Sequence, residues 1–419
     1  MWWRLQKGLL TFRSMTEVKV LIAGASIAGL ASAIALGQLD KPNLKFNIQL
    51  YDKATGLREI GASIALSPNG LRTLERLGVH SALDHDVAFR GPSALHMIYR
   101  HWKTNDIVSV DQFVNVPDTK HQTARFHRAH LHQALLAHVP SENIHLHKAV
   151  KHGETFKPEH TLHYTGRTWI RSTFDASLVE NMPDFPADST HWRGPRYTFF
   201  ASRLGRNMYS TVGNYDPKDF PAEGENFHWD QEGDVSFFRE LYKDWNPVVK
   251  ALADATPHVR MYSNFAGEPL DSWVFGSRVT SVGDAAHTHG GAHAAGGSLA
   301  LDDSWALYLL VKHVLASLGP GQMPSVADIQ LALTLYEKTR RPHTEQLVRS
   351  VLAGVGAAAP TTDAELRERM ENRPSMTWLT EHDVEATLAK VLHDQDLIPC
   401  DREHHSVPSP SPLPRELRL

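Results

Sequence analysis

The chain has 419 residues, of which 42% are hydrophobic and 21% are charged, so it is long enough for one large or two medium domains. The formal net charge of −4, the pI of about 6.7 and the absence of a long Lys/Arg tract argue against nucleic acid or an anionic membrane as a partner. A small molecule is the expected partner. The single cysteine, Cys400, excludes an intrachain disulfide framework and a thiolate zinc cluster, and it favours a reducing compartment such as the cytoplasm.

The N-terminal region combines a short basic segment with an apolar stretch. Residues 1–15 are basic and lack acidic side chains, which predicts an extension, with the folded part beginning after Met15. Val20 to Gly37 contains 18 residues without a charge, close to the length of a membrane span. Its Ala, Gly and Ser content favours a buried strand, a turn and a buried helix instead. No membrane span is therefore expected.

A βαβ unit opens the folded part of the chain. The sequence predicts a strand over Val18 to Ala23, a helix over Ile27 to Leu39, and a second strand over Phe46 to Tyr51. This order of elements is the setting in which a dinucleotide-binding turn occurs.

The turn between that first strand and helix reads Gly24-Ala-Ser-Ile-Ala-Gly29. Gly24 permits a tight turn, the small Ser26 lets a pyrophosphate approach the backbone, and Gly29 lets helix and strand pack closely. Asp52, at the end of the second strand, is the acid expected to hold the adenosine ribose. Because Ser26 replaces the usual second glycine, an apolar helix without a ligand and a solvated Asp52 remain the alternatives.

The later elements differ in type along the chain. Apolar spacing and capping residues predict helices at 67–78, 128–139, 236–255, 298–318, 325–354 (kinked at Pro342) and 380–392. Alternating aromatic and polar residues from His160 to Asp216 predict antiparallel strands. A further strand, Arg278 to Val282, leads into a glycine-rich loop. Residues 395–419, rich in Pro and Ser, predict a disordered tail.

The glycine-rich loop, GDAAHTHGGAHAAGGSLALDD, contains three histidines and supports two interpretations. A metal site built from His287, His289 and His293 needs a rigid scaffold and usually a carboxylate ligand. A flavin site consists of an apolar strand, a Gly-Asp pair, a glycine-rich loop and the N-terminus of a helix, in that order. The sequence contains these pieces in this order, and the helix is expected to begin at Asp302 and Asp303. The order of these pieces favours the flavin site over the metal.

Four segments in this order resemble a known family: LIAGASIAGLASAIAL, REIGASIALSPNGLRTLERLGV, RFHRAHLHQALL and VTSVGDAAHTHGGAHAAGGSLALDDSWALYLL. Together they are similar to the FAD-dependent aromatic monooxygenases of the salicylate hydroxylase and para-hydroxybenzoate hydroxylase type, especially fungal ones. The resemblance covers residues 17–350.

The resemblance implies an α/β fold with a Rossmann-like FAD-binding domain, an inserted and mainly antiparallel β-sheet substrate domain, and C-terminal helices. It implies that ten residues contact FAD: Gly24, Ser26, Gly29, Asp52, Ala62, Ser63, Arg128, Asp284, Gly296 and Gly297. Asp284 would bind the ribityl chain, and the backbone at Gly296 and Gly297 would face the flavin ring.

The chemistry implied by the resemblance is hydroxylation of a small or polyketide-derived phenol. NADPH or NADH would reduce the flavin, dioxygen would add to give a flavin C4a-hydroperoxide, and a phenolate-like ring would attack it. Arg171 matches an arginine that some fungal relatives place over the substrate, although a strand arginine paired with a carboxylate is an equal alternative. The tyrosine that accompanies that arginine is replaced near Ser202, which leaves Tyr197 and His191 as secondary candidates.

The sequence departs from the family in several places. Gly290 and Gly291 stand where relatives carry proline, and Leu299 stands where Asn or Gln is common. The chain also lacks the central Asp-Gly motif, as though about 40 residues were absent after Val150. A catalytically impaired, flavoprotein-like binder is therefore an alternative to the monooxygenase, as is a metal-dependent hydrolase using the three histidines.

The expected domains follow from these motifs. They are an extension at 1–15, a discontinuous FAD-binding domain at 16–150 and 276–355, a β-rich substrate domain at 156–275, a helical segment at 356–394 and a tail at 395–419. Expected ligands are FAD, NADPH or NADH, a small aromatic substrate and dioxygen, with no metal and no nucleic acid. The sequence does not indicate an oligomeric state.

Overall fold

The computed structural model of the protein describes residues 16–57, 62–150, 162–219 and 230–396. Its strands are β1 (Thr16–Ala23), β2 (Leu44–Tyr51), β3 (Ser63–Leu66), β4 (Met97–His101), β5 (Ile107–Asp111), β6 (Ala124–His127), β7 (Ile144–His145), β8 (Leu162–Asp175), β9 (Thr190–Arg193), β10 (Thr198–Leu204), β11 (Met208–Tyr215), β12 (Gln231–Gly233), β13 (Val259–Gly267), β14 (Val274–Phe275) and β15 (Val279–Thr280).

The helices lie mainly between and after these strands. They are α1 (Ile27–Gly37), α2 (Pro68–Arg76), α3 (Arg128–Leu136), α4 (Val235–Leu241), α5 (Pro247–Ala255), α6 (Asp284–His287), α7 (Gly296–Ala316), α8 (Val326–Gly354), α9 (Asp363–Glu371), α10 (Thr377–Thr380) and α11 (Val384–Asp396). Short 3₁₀ turns connect several of them.

A small parallel sheet carries the first motif. Its described strands have the order β1-β2-β7, with Val20 opposite Ile48 in the β1–β2 register. The inward positions of β1 are half-buried and the alternate ones are exposed, as expected for a sheet with one covered face. Within the described residues, the other edge of β1 has no paired strand and faces a large cavity.

A second, eight-stranded sheet forms the other half of the molecule, in the order β12-β13-β8-β11-β10-β9-β4-β5. All its neighbours are antiparallel except β4 and β9, which run parallel. β4 and β5 come from the chain segment assigned above to the FAD-binding domain, so this sheet is assembled from two separate parts of the sequence. The expected α/β fold with an antiparallel substrate sheet and C-terminal helices is confirmed.

Two large hydrophobic cores correspond to the two halves. The first lies between the parallel sheet and helices α1, α7 and α8, and includes Leu30, Leu301 and Tyr336. The second lies between the eight-stranded sheet and helices α4 and α5, and its centre is a cluster of aromatic rings. The rings of Phe199 and Tyr242 are 4.9 Å apart there, in an edge-to-face arrangement.

Several predicted boundaries shift in the structure. The long helix after the histidine loop begins at Gly296, so the expectation that it opens at Asp302 and Asp303 is wrong. Both aspartates lie inside the helix and are buried, because they bond to groups in the core. The strand predicted at 278–282 shortens to Val279–Thr280, and α8 continues through Pro342.

The extension at 1–15, nearly all of the tail at 395–419 and the residues at 151–161 lie outside the described residues.

A network of buried charges fastens α7 to α8. Asp303 is fully buried, and its two carboxylate oxygens accept hydrogen bonds from Arg340 Nε at 2.8 Å and His287 Nε2 at 2.7 Å. Burial by itself raises the pKa of Asp303, but His287 and Arg340 overcome that effect and hold the pKa well below its usual range. Asp303 is therefore a buried carboxylate that remains ionised because charged and polar partners surround it.

None of the helices in the described part of the chain is long and apolar enough to cross a membrane.

We expect the variant Arg340→Met to lower the free energy of unfolding by about 3–5 kcal/mol, because it leaves the Asp303 charge buried without its cationic partner. The neighbouring Arg341 makes partly exposed ion pairs with Glu337 and Glu345. Arg341→Met should therefore cost at most about 1 kcal/mol. Urea denaturation followed by circular dichroism measures both changes, and equal losses would contradict this account of the network.

Candidate functional site: a cofactor cleft beside a substrate sheet

The first turn has the geometry of a pyrophosphate-binding loop. Gly24 has φ of +103°, a value that glycine tolerates and side-chain-bearing residues rarely adopt. A Cβ added at Gly29 would lie 1.8 Å from the carbonyl oxygen of Gly24, so only glycine permits this approach of helix α1 to the turn. Ser26 is the N-cap residue of α1, and its side chain makes no capping hydrogen bond. The backbone N–H groups at this helix end remain oriented for an anion.

Asp52 lies directly beside this turn. Its carboxylate accepts hydrogen bonds from the amides of Ala25 and Ala54, each at 2.7 Å. A carboxylate has about four acceptor positions, so these two bonds leave capacity for further donors such as ribose hydroxyls. His132 fixes the turn from the other side through a 2.8 Å bond between its Nε2 and the carbonyl of Ala25.

The second motif meets the first in space, although the two are far apart in sequence. Gly283 has φ of +65°, and a Cβ added there would lie 3.0 Å from the Cβ of Ala28 in helix α1. The hydroxyls of Ser32 and Ser304 lie 3.0 Å apart and join α1 to α7. The amide of Gly283 donates to Asp303 at 3.0 Å, so the buried charge network also fixes this loop.

One cavity of about 1480 Å³ contains both motifs. Small-molecule sites usually measure about 300–1,000 Å³, so this cavity has room for a large cofactor and a second ligand. Most predicted cofactor residues line it: Ser26, Gly29, Ala62, Ser63, Arg128, Asp284, Gly296 and Gly297. Gly24 and Asp52 lie just behind the lining, at the turn.

Ala62, Ser63 and Arg128 are brought together by the β3–β6 pair. The amide of Arg128 donates to the carbonyl of Ala62 at 2.8 Å, and Ser63 lies opposite His127 in the register. A Cβ added at Gly297 would collide with Ile64 and Leu66 at 2.9 Å. Gly297 therefore permits the close packing of α7 on β3. A Cβ added at Gly296 would make only ordinary contacts, so this residue leaves the end of the helix open to the cavity.

The three histidines of the glycine-rich loop have different surroundings. His287 is committed to Asp303, and the His289 ring stacks parallel to it with centroids 6.3 Å apart. Burial lowers the pKa of His289 to about 4, so this ring is neutral at neutral pH. His293 faces the opposite wall of the cavity. No group of three His, Cys, Asp or Glu side chains within the described ranges is arranged to hold a metal ion, and the metal-hydrolase alternative has no support there.

The conformation of this loop explains its unusual sequence. Gly290 and Gly291 have φ of +66° and +68°, which proline, fixed near −65°, cannot adopt. His293 and Ala294 also have positive φ, at 54° and 52°. Left-handed backbone at residues with a side chain stores strain, about 1–3 kcal/mol each, and such strain is common next to functional sites.

The wall opposite the loop is a row of side chains that crosses five strands of the large sheet. Register places these residues side by side, and all of them line the cavity: Tyr99, His191, Phe200, Val212 and Arg171. The rings of Tyr99 and His191 are 5.7 Å apart, and those of His191 and Phe200 are 6.3 Å apart. The row is a flat and largely aromatic surface facing the glycine-rich loop.

Arg171 lies at one end of this row, close to Gly291, where an added Cβ would be 3.7 Å from Arg171 Nη2. It is half-buried, and its guanidinium packs over the ring of Tyr262 at 5.4 Å. Among the described residues it forms no ion pair, so the alternative of a strand arginine paired with a carboxylate does not apply. Of the secondary candidates, His191 lines the cavity, whereas Tyr197 donates to Asp219 at 2.6 Å outside it.

Similarity to known proteins agrees with this geometry. No protein-family model matches the chain. It is 25% identical over 373 residues to 6-hydroxynicotinate 3-monooxygenase of Pseudomonas fluorescens, covering 79% of this chain and 89% of that protein. It is also 25% identical over 373 residues to the FAD-dependent monooxygenase ntnJ of Nectria sp, covering 79% and 82%. The fold matches a salicylate hydroxylase substrate complex with a TM-score of 0.69 at 17% identity, over 90% and 98% of the two chains.

The chain is therefore similar in sequence to FAD-dependent aromatic monooxygenases and shares the fold of a salicylate hydroxylase. The resemblance stated from the four sequence segments is thereby confirmed.

Sequence reasoning missed the charged residues at the far end of the row. Arg125, Arg193 and Asp111 come from three strands, and Arg373 comes from the segment after α9, yet all four meet around Tyr99 and Phe200. The available signal was one arginine in each of two short strands, Arg125 in β6 and Arg193 at the end of β9. Sequence alone did not show that both face the same cavity.

For the cofactor turn we expect Gly29→Ala to weaken FAD binding at least about tenfold, equivalent to about 1.4 kcal/mol, because the new Cβ displaces the Gly24 carbonyl. Gly37→Ala, at the other end of the same helix and with no neighbour within 4 Å of an added Cβ, is the matched control. Titration of the purified proteins with FAD, followed by flavin fluorescence, gives the affinities. Unchanged affinity in Gly29→Ala would show that the turn does not hold the pyrophosphate.

Proposed function

We propose that this enzyme uses FAD, reduced by NADPH or NADH, to insert one atom of dioxygen into a phenolic aromatic ring. The observation that carries the proposal is the convergence of the Gly24–Gly29 turn and the Gly283–Gly297 loop on one cavity, whose opposite wall carries Arg171. The relatives' names add support, since one acts on a hydroxylated pyridine carboxylate, 6-hydroxynicotinate.

The cofactor fits the residues present. The turn at Gly24, Ser26 and Gly29 would hold the pyrophosphate, and Asp52 the adenosine ribose. Arg128 with the Ala62–Ser63 backbone would contact further parts of FAD, and Asp284 the ribityl chain. The N-terminus of α7 at Gly296, a helix of 21 residues, favours negative charge on the flavin ring. Bound and reduced FAD supplies the electrons that activate dioxygen, which no side chain of the protein can supply.

The protein's own contribution is position and electrostatics. Arg171 lies beside the loop that would face the flavin ring, and its buried guanidinium favours an ionised phenol oxygen over a neutral hydroxyl. The aromatic row keeps the ring flat against the sheet and excludes water from the cavity. A phenol held as the phenolate is a better electron donor to an electrophilic oxygen atom, so Arg171 is the residue we assign to substrate activation.

The first test is whether the protein binds flavin and uses it. Purified protein should show the yellow flavin absorption after incubation with FAD, and it should consume NADPH or NADH faster when a phenol is added. Asp284→Ala should weaken FAD binding. If the protein stays colourless after incubation with FAD and the Asp284→Ala variant behaves in the same way, the cofactor assignment is contradicted. A yellow protein that consumes no NADPH or NADH with any phenol would indicate the flavoprotein-like binder.

The role of Arg171 has a separate test. Arg171→Met should reduce the rate of phenol hydroxylation at least about tenfold while FAD binding is retained, since removal of one buried stabilising donor typically costs about 10²–10³ in rate. Arg167→Met is the matched control, because Arg167 is an exposed arginine on the same strand. Raising the pH should partly restore the rate of Arg171→Met by ionising the phenol in solution. A rate unaffected by Arg171→Met would remove this residue from the mechanism.

A further inference from the structure

The last part of the described chain returns to the body of the molecule and closes one side of the cavity. Residues 376–396 contain α10 and α11, and we call them the C-terminal cover. Met376 and Thr380 of the cover line the cavity. Leu379 packs against Leu299 of α7, close to the glycine-rich loop. Detachment of the cover would therefore open the cavity on this side.

A pair of stacked histidines joins the C-terminal cover to α8. The rings of His343 in α8 and His382 in the cover lie 3.8 Å apart, with an angle of 20° between their planes. The ring of Trp378, also in the cover, packs edge-on against His343 at 5.4 Å. The Nε2 atom of His343 is enclosed and has no hydrogen-bond partner among the described residues. The two elements thus meet through ring faces, an interaction that favours uncharged rings.

The surroundings of the stack contain two arginines. Arg340 lies one turn before His343 on α8 and is fully buried. Arg72 of α2 donates from Nη2 to the carbonyls of Glu381 and His382, at 2.9 and 3.0 Å. The charged and titratable groups that act on the two rings are Arg72, His287, Asp303, Arg340 and Asp383. The two carboxylates in this set accept hydrogen bonds elsewhere, from α6 and α8 and from amides at the start of α11.

Both rings of the stack are uncharged at neutral pH. Burial, Arg340 and the neighbouring His382 lower the pKa of His343 to about 2. Burial and Arg340 lower the pKa of His382 to about 4, although Asp383 acts in the opposite direction. When the cover detaches, water reaches the rings and their pKa values rise toward about 6.5. A histidine with a lower pKa in the closed state stabilises that state fully above about pH 6.5, and this stabilisation is lost as the pH falls below that value.

The ion pairs of the neighbouring helix α9 do not change over the same pH range. Hydrogen bonds from Thr104 and Arg367 lower the pKa of Asp106, and Arg367 also lowers the pKa of Asp363. Both carboxylates therefore stay ionised at about pH 5, since even an ordinary aspartate has a pKa of about 3.9. The response to acid is expected at the histidine stack and not at α9.

We propose that the C-terminal cover is an acid-released lid: the stack of His343 on His382 holds it closed at neutral pH, and protonation of the two rings opens it at mildly acidic pH. Two imidazolium rings in face-to-face contact repel each other, and Arg340 and Arg72 repel both. Opening removes two lining residues from the cavity wall and exposes the cavity to solvent on this side. The inference concerns access to the cavity, and it does not depend on the reaction that takes place there.

Hydrogen–deuterium exchange followed by mass spectrometry measures the opening. The full-length protein is labelled at about pH 7.5 and at about pH 5, with labelling times scaled to the intrinsic exchange rate at each pH. A histidine that regains its ordinary pKa on opening shifts the equilibrium about 30-fold over this range. The protection of amides in α10 and α11 should therefore fall at least about 30-fold at the lower pH, while that of α1 is retained.

Two results of this experiment would overturn the proposal. One is unchanged protection of α10 and α11 at the lower pH. The other is an equal loss of protection in α1, because acid would then unfold the whole molecule instead of releasing the cover.

Phenylalanine variants test the two rings directly, because phenylalanine keeps an aromatic face but has no nitrogen to protonate. His382→Phe should lose less protection at about pH 5 than the wild type, and the double variant with His343→Phe should lose less than about threefold. His393→Phe is the matched control, because His393 is an exposed histidine on α11, and it should behave as the wild type does.

Circular dichroism at about pH 7.5 shows which of these variants are folded. His382 is half-buried, so His382→Phe keeps the test decisive if the double variant does not fold. A folded double variant whose cover still opens in acid would overturn the role of the stack. A loss of protection in His382→Phe as large as that in the wild type would do the same.

Discussion

The cofactor cleft depends on one buried carboxylate, Asp303. It accepts the amide of Gly283, holds the His287 ring and pairs with Arg340, so the loop, helix α7 and helix α8 share one anchor. Because Gly283 is in contact with helix α1, the same anchor sets the distance between the two halves of the cleft. The surrounding apolar core keeps water from competing for these bonds, and the low local dielectric strengthens each of them.

The opposite side of the cleft is organised by a different constraint, the register of the large sheet. Five strands place one side chain each in a single row, and the two ends of that row carry arginines with different surroundings. Arg171 is next to the glycine-rich loop, while Arg125 and Arg193 are next to rings and pair with no carboxylate in the described part of the chain. The fixed glycine-rich motifs on one side and the largely aromatic row on the other form the two walls of the cavity.

Local motifs allowed the sequence to predict the two glycine-bearing segments that line one side of the cavity, but only part of the aromatic row opposite them. Gly24, Gly29 and Gly283 are recognisable because a tight turn or a close helix approach requires glycine whatever the rest of the fold does. Arg125 and Arg193 had no such signature, since their meeting depends on β4, β6 and β9 coming together from distant parts of the chain. Asp303 was expected at the start of a helix, because acidic residues are common there. The burial of Asp303 depends on its ion pair with Arg340, which lies 37 residues later in the chain. No sequence pattern linked these two residues.

Arg373 brings the C-terminal segment to the aromatic row, beyond the two sheets. Helix α9 packs through Leu366 and Met370 against Met97 and Tyr99, and Arg373 follows directly after it. A shortened protein ending after α8 would lose a charged side chain and an apolar cover from the aromatic row, and also the packing of Leu379 against Ala295 and Leu299 at the glycine-rich loop. The last segment accordingly supports both walls of the cavity, so its exchange between related proteins would alter both together.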